Sequence, residues 1–388
     1  MTEEFRFLGV ASDLVASLKE RGIQAPFPIQ TLTIPDALAG RDVCGKAKTG
    51  SGKTLAFGLP MVENLSHADS HWARGLVLVP TRELAVQVAK ELQPLARCRD
   101  LTLDPVYGGA PIEAQIKKID NGLDIIVATP GRLIDLIDRK AVSVAKLEIV
   151  VVDEADRMAD MGFLPQVEWI LRHVESRHQT LLFSATLDGA VDALVRRYQD
   201  DPARHEVESK QVTVDEMQHR FVAVHQMDKV NVAAAIIRAS NRTLVFSATR
   251  HGCDRLARKL QDEGVRAEPI HGDLRQQARE RSLARFATGD IQALVATDVA
   301  ARGLHIDDVD VVIHFDPPPD HKTYLHRSGR TARAGESGMA VTLSLWNEEL
   351  VVKRLQRRLS LDVPIVEMFS NDDRLDALDR WDPVAEAV

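Results

Sequence analysis

The chain of 388 residues is poor in cysteine: Cys44, Cys98 and Cys253 show no CxxC spacing and make no even set. That excludes a disulfide scaffold and a thiolate metal cage, and it reads as three reduced, buried or incidental thiols. No run of eighteen apolar residues occurs, which excludes a membrane-spanning helix. The N-terminus, MTEEFRFLGV, is acidic and lacks the basic and apolar regions of a secretory leader, so a cytoplasmic protein without a membrane anchor is expected. The chain also lacks an excess of positive charge. Its net charge of -8 argues, as a bare sum, against contact with nucleic acid. The sum conceals a division: residues 1–208 carry -6, 209–366 carry +3, and 367–388 carry -5. An electropositive face is expected in the middle segment, and the acidic tail is expected to stay off phosphate.

What remains is ordinary for a globular protein, with 45% apolar and 27% charged residues. The length is too great for one core and suits two domains. Two segments carry chemistry. AKTGSGKT spans Ala47, Lys48, Thr49, Gly50, Ser51, Gly52, Lys53 and Thr54, and VVDEAD spans Val151 to Asp156. The glycines let the backbone turn tightly, so that its N–H groups and the following helix N-terminus face phosphate oxygens. Lys53 would neutralise the outer phosphates, and Thr54 and Asp153 would share one Mg2+. Glu154 stands where it could orient and deprotonate an attacking water. Ala47 replaces the first glycine of the usual loop pattern. The apolar strand ending in acids decides for an ATP-hydrolysing site over an ordinary turn.

Apolar runs alternate with amphipathic stretches: LVLV at 76–79, DIIV at 124–127, EIVVV at 148–152 and TLLF at 180–183, then TLVF at 243–246, QALVA at 292–296, VDVVIHF at 309–315 and MAVTLSL at 339–345. This is the βαβ rhythm of an α/β protein with two mainly parallel sheets flanked by helices. Boundaries are expected at 1–206 for an N-terminal domain, 207–217 for a linker, 218–366 for a C-terminal domain and 367–388 for a short acidic tail. FSAT occurs at 183–186 and 246–249, and VAT at 127–129 and 295–297. Repeats this short leave duplication of one architecture open.

With these residues in view, the chain resembles the DEAD-box RNA helicases of the second helicase superfamily over residues 5–345, with the motifs in family order and spacing. The resemblance implies two tandem RecA-like domains, ATP and Mg2+ as cofactors, and RNA as partner. Phe5 with GIQAPFPIQ resembles the Q motif, and so implies that Gln30 reads adenine, with Phe5 and Pro28 in support. On residues alone Gln30 reads rather as a surface residue opening a helix. PTRELA, GG and TPGR imply that Arg82, Gly109, Thr129 and Arg132 line an RNA path; taken singly they read as caps and turns. The QxxR element and ATDVAARGL add Gln276, Arg279, Thr297 and Arg302. Ser184 and Thr186 of SAT, with Asp156, would couple ATP state to strand separation.

HRSGRTAR implies arginine fingers at Arg330 and Arg333, three apart on one helix face, with His326 bridging to the acids; a solvated basic face is the alternative. Three departures stand out. His305 replaces an aspartate expected to hold the ribose, which could weaken ATP binding or make it pH-sensitive. Ile23 stands where an aromatic often stacks on adenine, and Ala332 stands where glycine is common, a neutral change within a helix. The implied mechanism is closure of two domains on ATP and RNA, with hydrolysis requiring RNA and a short duplex opened locally. A non-unwinding RNA clamp and a DNA-directed helicase are the alternatives. The chain has no basic or RGG-rich extension, so targeting is expected to come from protein partners or abundance, and a monomer is expected.

Overall fold

Short β-branched runs separated by amphipathic segments leave the strands little choice but to stack in parallel, with helices covering both faces. The computed structural model describes residues 3–48, 50–68, 72–187, 189–207, 217–301, 306, 309–331 and 338–386. It divides into two compact units, Met1–Ser209 and Lys210–Val388.

Unit 1 runs α1 (Glu3–Phe7), α2 (Ser12–Glu20), α3 (Pro28–Leu38), β1 (Val43–Lys46), α4 (Lys53–Asn64), β2 (Gly75–Leu78), α5 (Arg82–Arg97), β3 (Leu103–Val106), α6 (Ile112–Asp120), β4 (Ile125–Ala128), α7 (Pro130–Asp138), β5 (Ile149–Asp153), α8 (Ala155–Asp160), α9 (Leu164–Leu171), β6 (Gln179–Ser184), α10 (Gly189–Tyr198) and β7 (Ala203–Glu206). Unit 2 runs β8 (Gln218–Ala223), α11 (Lys229–Arg238), β9 (Thr243–Phe246), α12 (Arg250–Asp262), β10 (Ala267–Ile270), α13 (Gln276–Ala287), β11 (Ala293–Ala296), α14 (Asp298–Ala301), β12 (Val311–His314), α15 (His321–Ser328), β13 (Met339–Ser344), α16 (Glu349–Leu359), β14 (Ile365–Glu367), a 3-10 turn (Asp373–Ala377) and α17 (Pro383–Glu386).

Among the described residues each unit forms one seven-stranded sheet, with order β3-β4-β2-β5-β6-β1-β7 in unit 1 and β10-β11-β9-β12-β13-β8-β14 in unit 2. Subtracting seven from each label of the second order returns the first, and every pairing is parallel. The two halves therefore share one architecture. The VAT repeats fall at matching places, at the carboxyl ends of β4 and β11. The FSAT repeats do not: one follows β6, whereas the other follows β9, the counterpart of β2.

Two apolar layers sandwich each sheet. In unit 1, Val77, Val127, Val151 and Leu181 pack under α3, α4 and α5, while Leu76, Ile126, Val150 and Leu182 pack under α7 to α10. In unit 2, Val245, Ile313 and Val341 face α11 and α12, and Leu244, Phe246 and Val312 face the other way. The acidic tail is docked: Met368, Leu375 and Leu378 are buried in the core that α11 and α12 cover. Among the described residues no helix is long and apolar enough to cross a membrane.

Candidate nucleotide and nucleic-acid site

In a parallel sheet the loops that hold ligands lie at the carboxyl ends of the strands. In unit 1 the ends of the adjacent strands β1, β6 and β5 bring the glycine-rich loop, SAT and the acids together. The Ala47 N–H donates to the Ser184 carbonyl (2.9 Å), continuing the β1–β6 ladder into the loop. Gly50 and Gly52 have φ of +81° and +82°, conformations that favour glycine, and Gly52 caps α4. Lys53, the first residue of α4, is 6% exposed; its Nζ donates to the Ala47 carbonyl (3.1 Å) and lies 4.0 Å from Asp153 Oδ1. The Ser51 hydroxyl is turned to the Lys48 carbonyl (2.7 Å). Thr49 lies outside the described residues.

Asp153 ends β5 fully inside the protein. Burial pushes its carboxyl up to about 6, against the opposing pull of the Lys53 ammonium. Glu154 follows in a left-handed conformation (φ +54°), caps α8, and accepts a hydrogen bond from Arg157 (2.7 Å). The Asp156 N–H donates to Ser184 Oγ (3.1 Å), tying the acidic loop to SAT; Thr186 is exposed beyond it. Thr54 hydrogen-bonds Glu91 of α5, which partly offsets the burial that raises the Glu91 pKa.

Gln30 is not a surface residue. It is fully buried, accepts from the Phe27 N–H (2.8 Å) and donates to the Gly52 carbonyl (2.8 Å), and so couples α3 to the phosphate loop. Phe5 is fully buried in the unit 1 core with Leu14 and Leu18, where it supports the site by packing. Pro28 opens α3 as a first-turn proline. Ile23 packs on the core. An aromatic that sequence reasoning passed over, Phe27, is half-exposed, and a side chain added at Gly52 would meet its ring.

The expected RNA-path residues of unit 1 sit at the ends of β2, β3 and β4. Arg82 opens α5 and lies against Gly109 (φ +87°). Thr129 caps α7, and Arg132 donates to the Ala110 carbonyl (3.1 Å) and to Gln115 Oε1 (2.9 Å), holding the GG loop. In unit 2, Gln276 opens α13 and donates to Glu280 (3.0 Å), Arg279 is buried, and Thr297 holds the Ala300 N–H (3.4 Å) at the end of β11.

HRSGRTAR is not one helix. α15 ends at Ser328 with Gly329 as its C-cap, so Arg330 follows the helix, buried, and the same-face argument for Arg330 and Arg333 does not hold. His326 is exposed on the last turn of α15. Arg302, His305, Ala332 and Arg333 lie outside the described residues. Sequence reasoning also missed Arg327, whose guanidinium makes a two-pronged pair with Asp298 (2.6 and 2.8 Å) and donates to the Asp316 carbonyl (2.8 Å). It joins two motifs of unit 2. The available signal was the aspartate of ATD and the arginine beside His326.

The matching family descriptions are DEAD/DEAH box helicase over residues 27–194 and helicase conserved C-terminal domain over residues 228–335. The chain is similar to the DEAD-box ATP-dependent RNA helicase CshA of Bacillus cereus, 40% identical over 97% of this chain and 72% of that protein. It is likewise similar to CshA of Bacillus subtilis, 41% identical over 92% of this chain and 72% of the relative. Among solved structures it resembles S. cerevisiae Dbp5 bound to RNA and ADP BeF3, with TM-score 0.80, 28% identity, and coverage of 97% and 98% of the two chains. A structure of Mss116p bound to ssRNA and AMP-PNP gives TM-score 0.78 at 26% identity, covering 95% of this chain and 79% of that one.

Proposed function

Because this chain belongs to the DEAD-box ATP-dependent RNA helicases, we propose that the loop and acids of unit 1 hydrolyse ATP in a reaction gated by RNA, and that the cycle opens short duplexes locally. The chain is an RNA-dependent ATPase and helicase. The observation that carries the assignment of residues is the convergence of Lys53, Asp153, Glu154 and Ser184 at the ends of three adjacent strands.

Lys53 would meet the outer phosphates, and the backbone N–H groups of Lys48 to Gly52 would cradle them. Gln30, already fixed to Phe27 and Gly52, would present its remaining polar capacity to adenine. Glu154 would take the proton of the attacking water while Arg157 holds its carboxylate in place. The donor set fits Mg2+: a buried Asp153 whose carboxyl is held up to about 6 gains from a nearby cation, and Thr54 adds a hydroxyl. Mg2+, when bound with ATP, supplies charge neutralisation at the phosphates. Arg330, with Arg333, would complete the phosphate environment, while His326 would relay the nucleotide state.

Arg82, Gly109, Thr129 and Arg132 in unit 1, and Gln276, Arg279, Thr297 and Arg302 in unit 2, would contact the sugar-phosphate backbone of RNA, so binding is sequence-independent and salt-sensitive. We assign residues 1–206 and 218–366 as the two helicase domains, with 207–217 between them and 367–388 as the acidic tail, of which Met368, Leu375 and Leu378 pack onto the second domain. The protein acts as a cytoplasmic monomer, with targets chosen by protein partners.

The test is ATP hydrolysis at fixed salt with no nucleic acid, with single-stranded RNA and with matched DNA, beside Glu154→Gln. Stimulation by RNA alone, lost in the variant, is expected. Equal stimulation by DNA, or indifference to RNA, would overturn the RNA-gated reading. Duplex unwinding measured in parallel is expected to follow ATPase; its absence would mean an RNA clamp.

A further inference from the structure

The residues used above leave out the outer face of α16. Its sequence, ELVVKRLQRRL, buries Val352, Leu355, Gln356 and Leu359. The three apolar ones pack with Phe221 and Tyr324. The 3.6-residue period then turns Lys353, Arg354, Arg357 and Arg358 to solvent on one side. Lys353 reaches Glu349 (3.4 Å), whereas Arg354, Arg357 and Arg358 pair with no described carboxylate. The acids of this region stand apart from them: Glu348 is engaged by Lys229 (3.6 Å), and Asp362 lies beyond the helix end.

An exposed tryptophan precedes the helix that carries the stripe. Trp346, in the loop between β13 and α16, is 84% exposed, and Leu350 on the first turn is 69% exposed. α13, α15 and α16 all cover the same face of the unit 2 sheet, since Phe286, Tyr324 and Leu355 pack on strand residues of one side. The stripe therefore lies on the face that carries Gln276 and Arg279, displaced from β11 to β8 by four strand spacings, about 19 Å. Unpaired cations at helical spacing on a helix that follows an exposed indole are what a single-stranded nucleic acid needs: charge for its phosphates and a flat surface for a base.

We propose that Trp346 and the Arg354, Arg357 and Arg358 face of α16 form a second RNA contact, which holds a single-stranded flank of the substrate. This rests on the reading that the chain binds RNA. The contact is sequence-independent, and it gives a chain of net charge -8 additional grip on long RNA.

The experiment compares the full-length chain with an R354Q/R357Q/R358Q variant and with Trp346→Ala. RNAs of about 8 and about 30 nucleotides are titrated over a salt series with a non-hydrolysable ATP analogue. Thermal melts first establish that the variants are folded. For the long RNA the triple variant is expected to lose about tenfold in affinity, with a log-log salt slope shallower by about 2, as three lost phosphate contacts on a single strand require. Trp346→Ala is expected to lose about tenfold without a change of slope. Short-RNA affinity and short-RNA stimulation of ATPase stay at wild-type values. Unchanged long-RNA binding in both variants overturns the proposal and leaves α16 a solvated or protein-docking face; equal losses for both lengths overturn it as well. A wild-type chain without RNA-stimulated ATPase would instead break the underlying helicase reading.

Discussion

Glu154 holds a left-handed backbone at the tip of β5, a conformation that costs a non-glycine residue about 1 kcal/mol. The strain is localised where the side chain must be aimed, and Arg157 holds that aim (2.7 Å). Glu154→Gln preserves shape and removes the base. Single-turnover hydrolysis should fall by about a hundredfold or more while ATP binding persists; a loss below about tenfold would move the base elsewhere. Gly109 makes a different demand, since its φ of +87° and the Arg82 guanidinium leave no room for a side chain. Gly109→Ala should cost about 1 kcal/mol of stability and shift Arg82. Its measurable sign is weaker RNA binding with an unchanged KM for ATP.

At the scale of the element, the two units repeat not only strands but caps. Thr81 after β2 accepts from the Leu84 N–H (3.3 Å), and Thr249 after the counterpart strand β9 accepts from the Gly252 N–H (2.9 Å). Each Thr→Ala change should cost about 1 kcal/mol in denaturant unfolding, one in each unit. β2, β4, β5 and β6, with β9, β11, β12 and β13, were legible in the sequence because burial on both faces makes them continuous apolar runs such as EIVVV. β3 and β10 were not, since LDPV and AEPI carry Pro105 and Pro269. Both are terminal strands of their sheets, where a missing N–H is tolerated. HRSGRTAR was misread as one helix because arginine spacing outweighed Gly329, which ends α15. The phosphate loop and acids were readable as local strings. The hydrogen bonds of Gln30 and the Arg327–Asp298 pair join distant segments, which no local string encodes.

At the scale of the whole molecule, unit 2 is built around a buried ring cluster. His314 is fully buried; its Nε2 lies 3.2 Å from Ser328 Oγ, and its ring stacks on Tyr324 at 4.7 Å between centroids. His219 Nδ1 meets the Tyr324 hydroxyl at 2.6 Å. Burial, with repulsion from Arg327 and His219, holds His314 well below its ordinary pKa. The folded chain therefore binds fewer protons here than the unfolded one between the folded pKa and about 6.5, so this contribution is complete above pH 6.5 and declines as pH falls, by at most about 1.4 kcal/mol per pH unit. The denaturation midpoint of unit 2 should drop between pH 7.5 and 5.5, and less so in His314→Phe.

The shared strand order also places α11 where α4 stands, and each helix begins with a lysine after the first strand of its sheet. Lys53 keeps its ammonium beside the glycine-rich loop. Lys229 follows the short turn VHQMD and is buried, with its ammonium over the Phe315 ring (4.9 Å) and 3.6 Å from Glu348. A side-chain carboxylate thus stands by the second lysine, the counterpart of the one beside the glycine-rich loop, so the duplicated fold is expected to take triphosphate at Lys53 alone. Equilibrium titration should therefore return a stoichiometry of one nucleotide per chain.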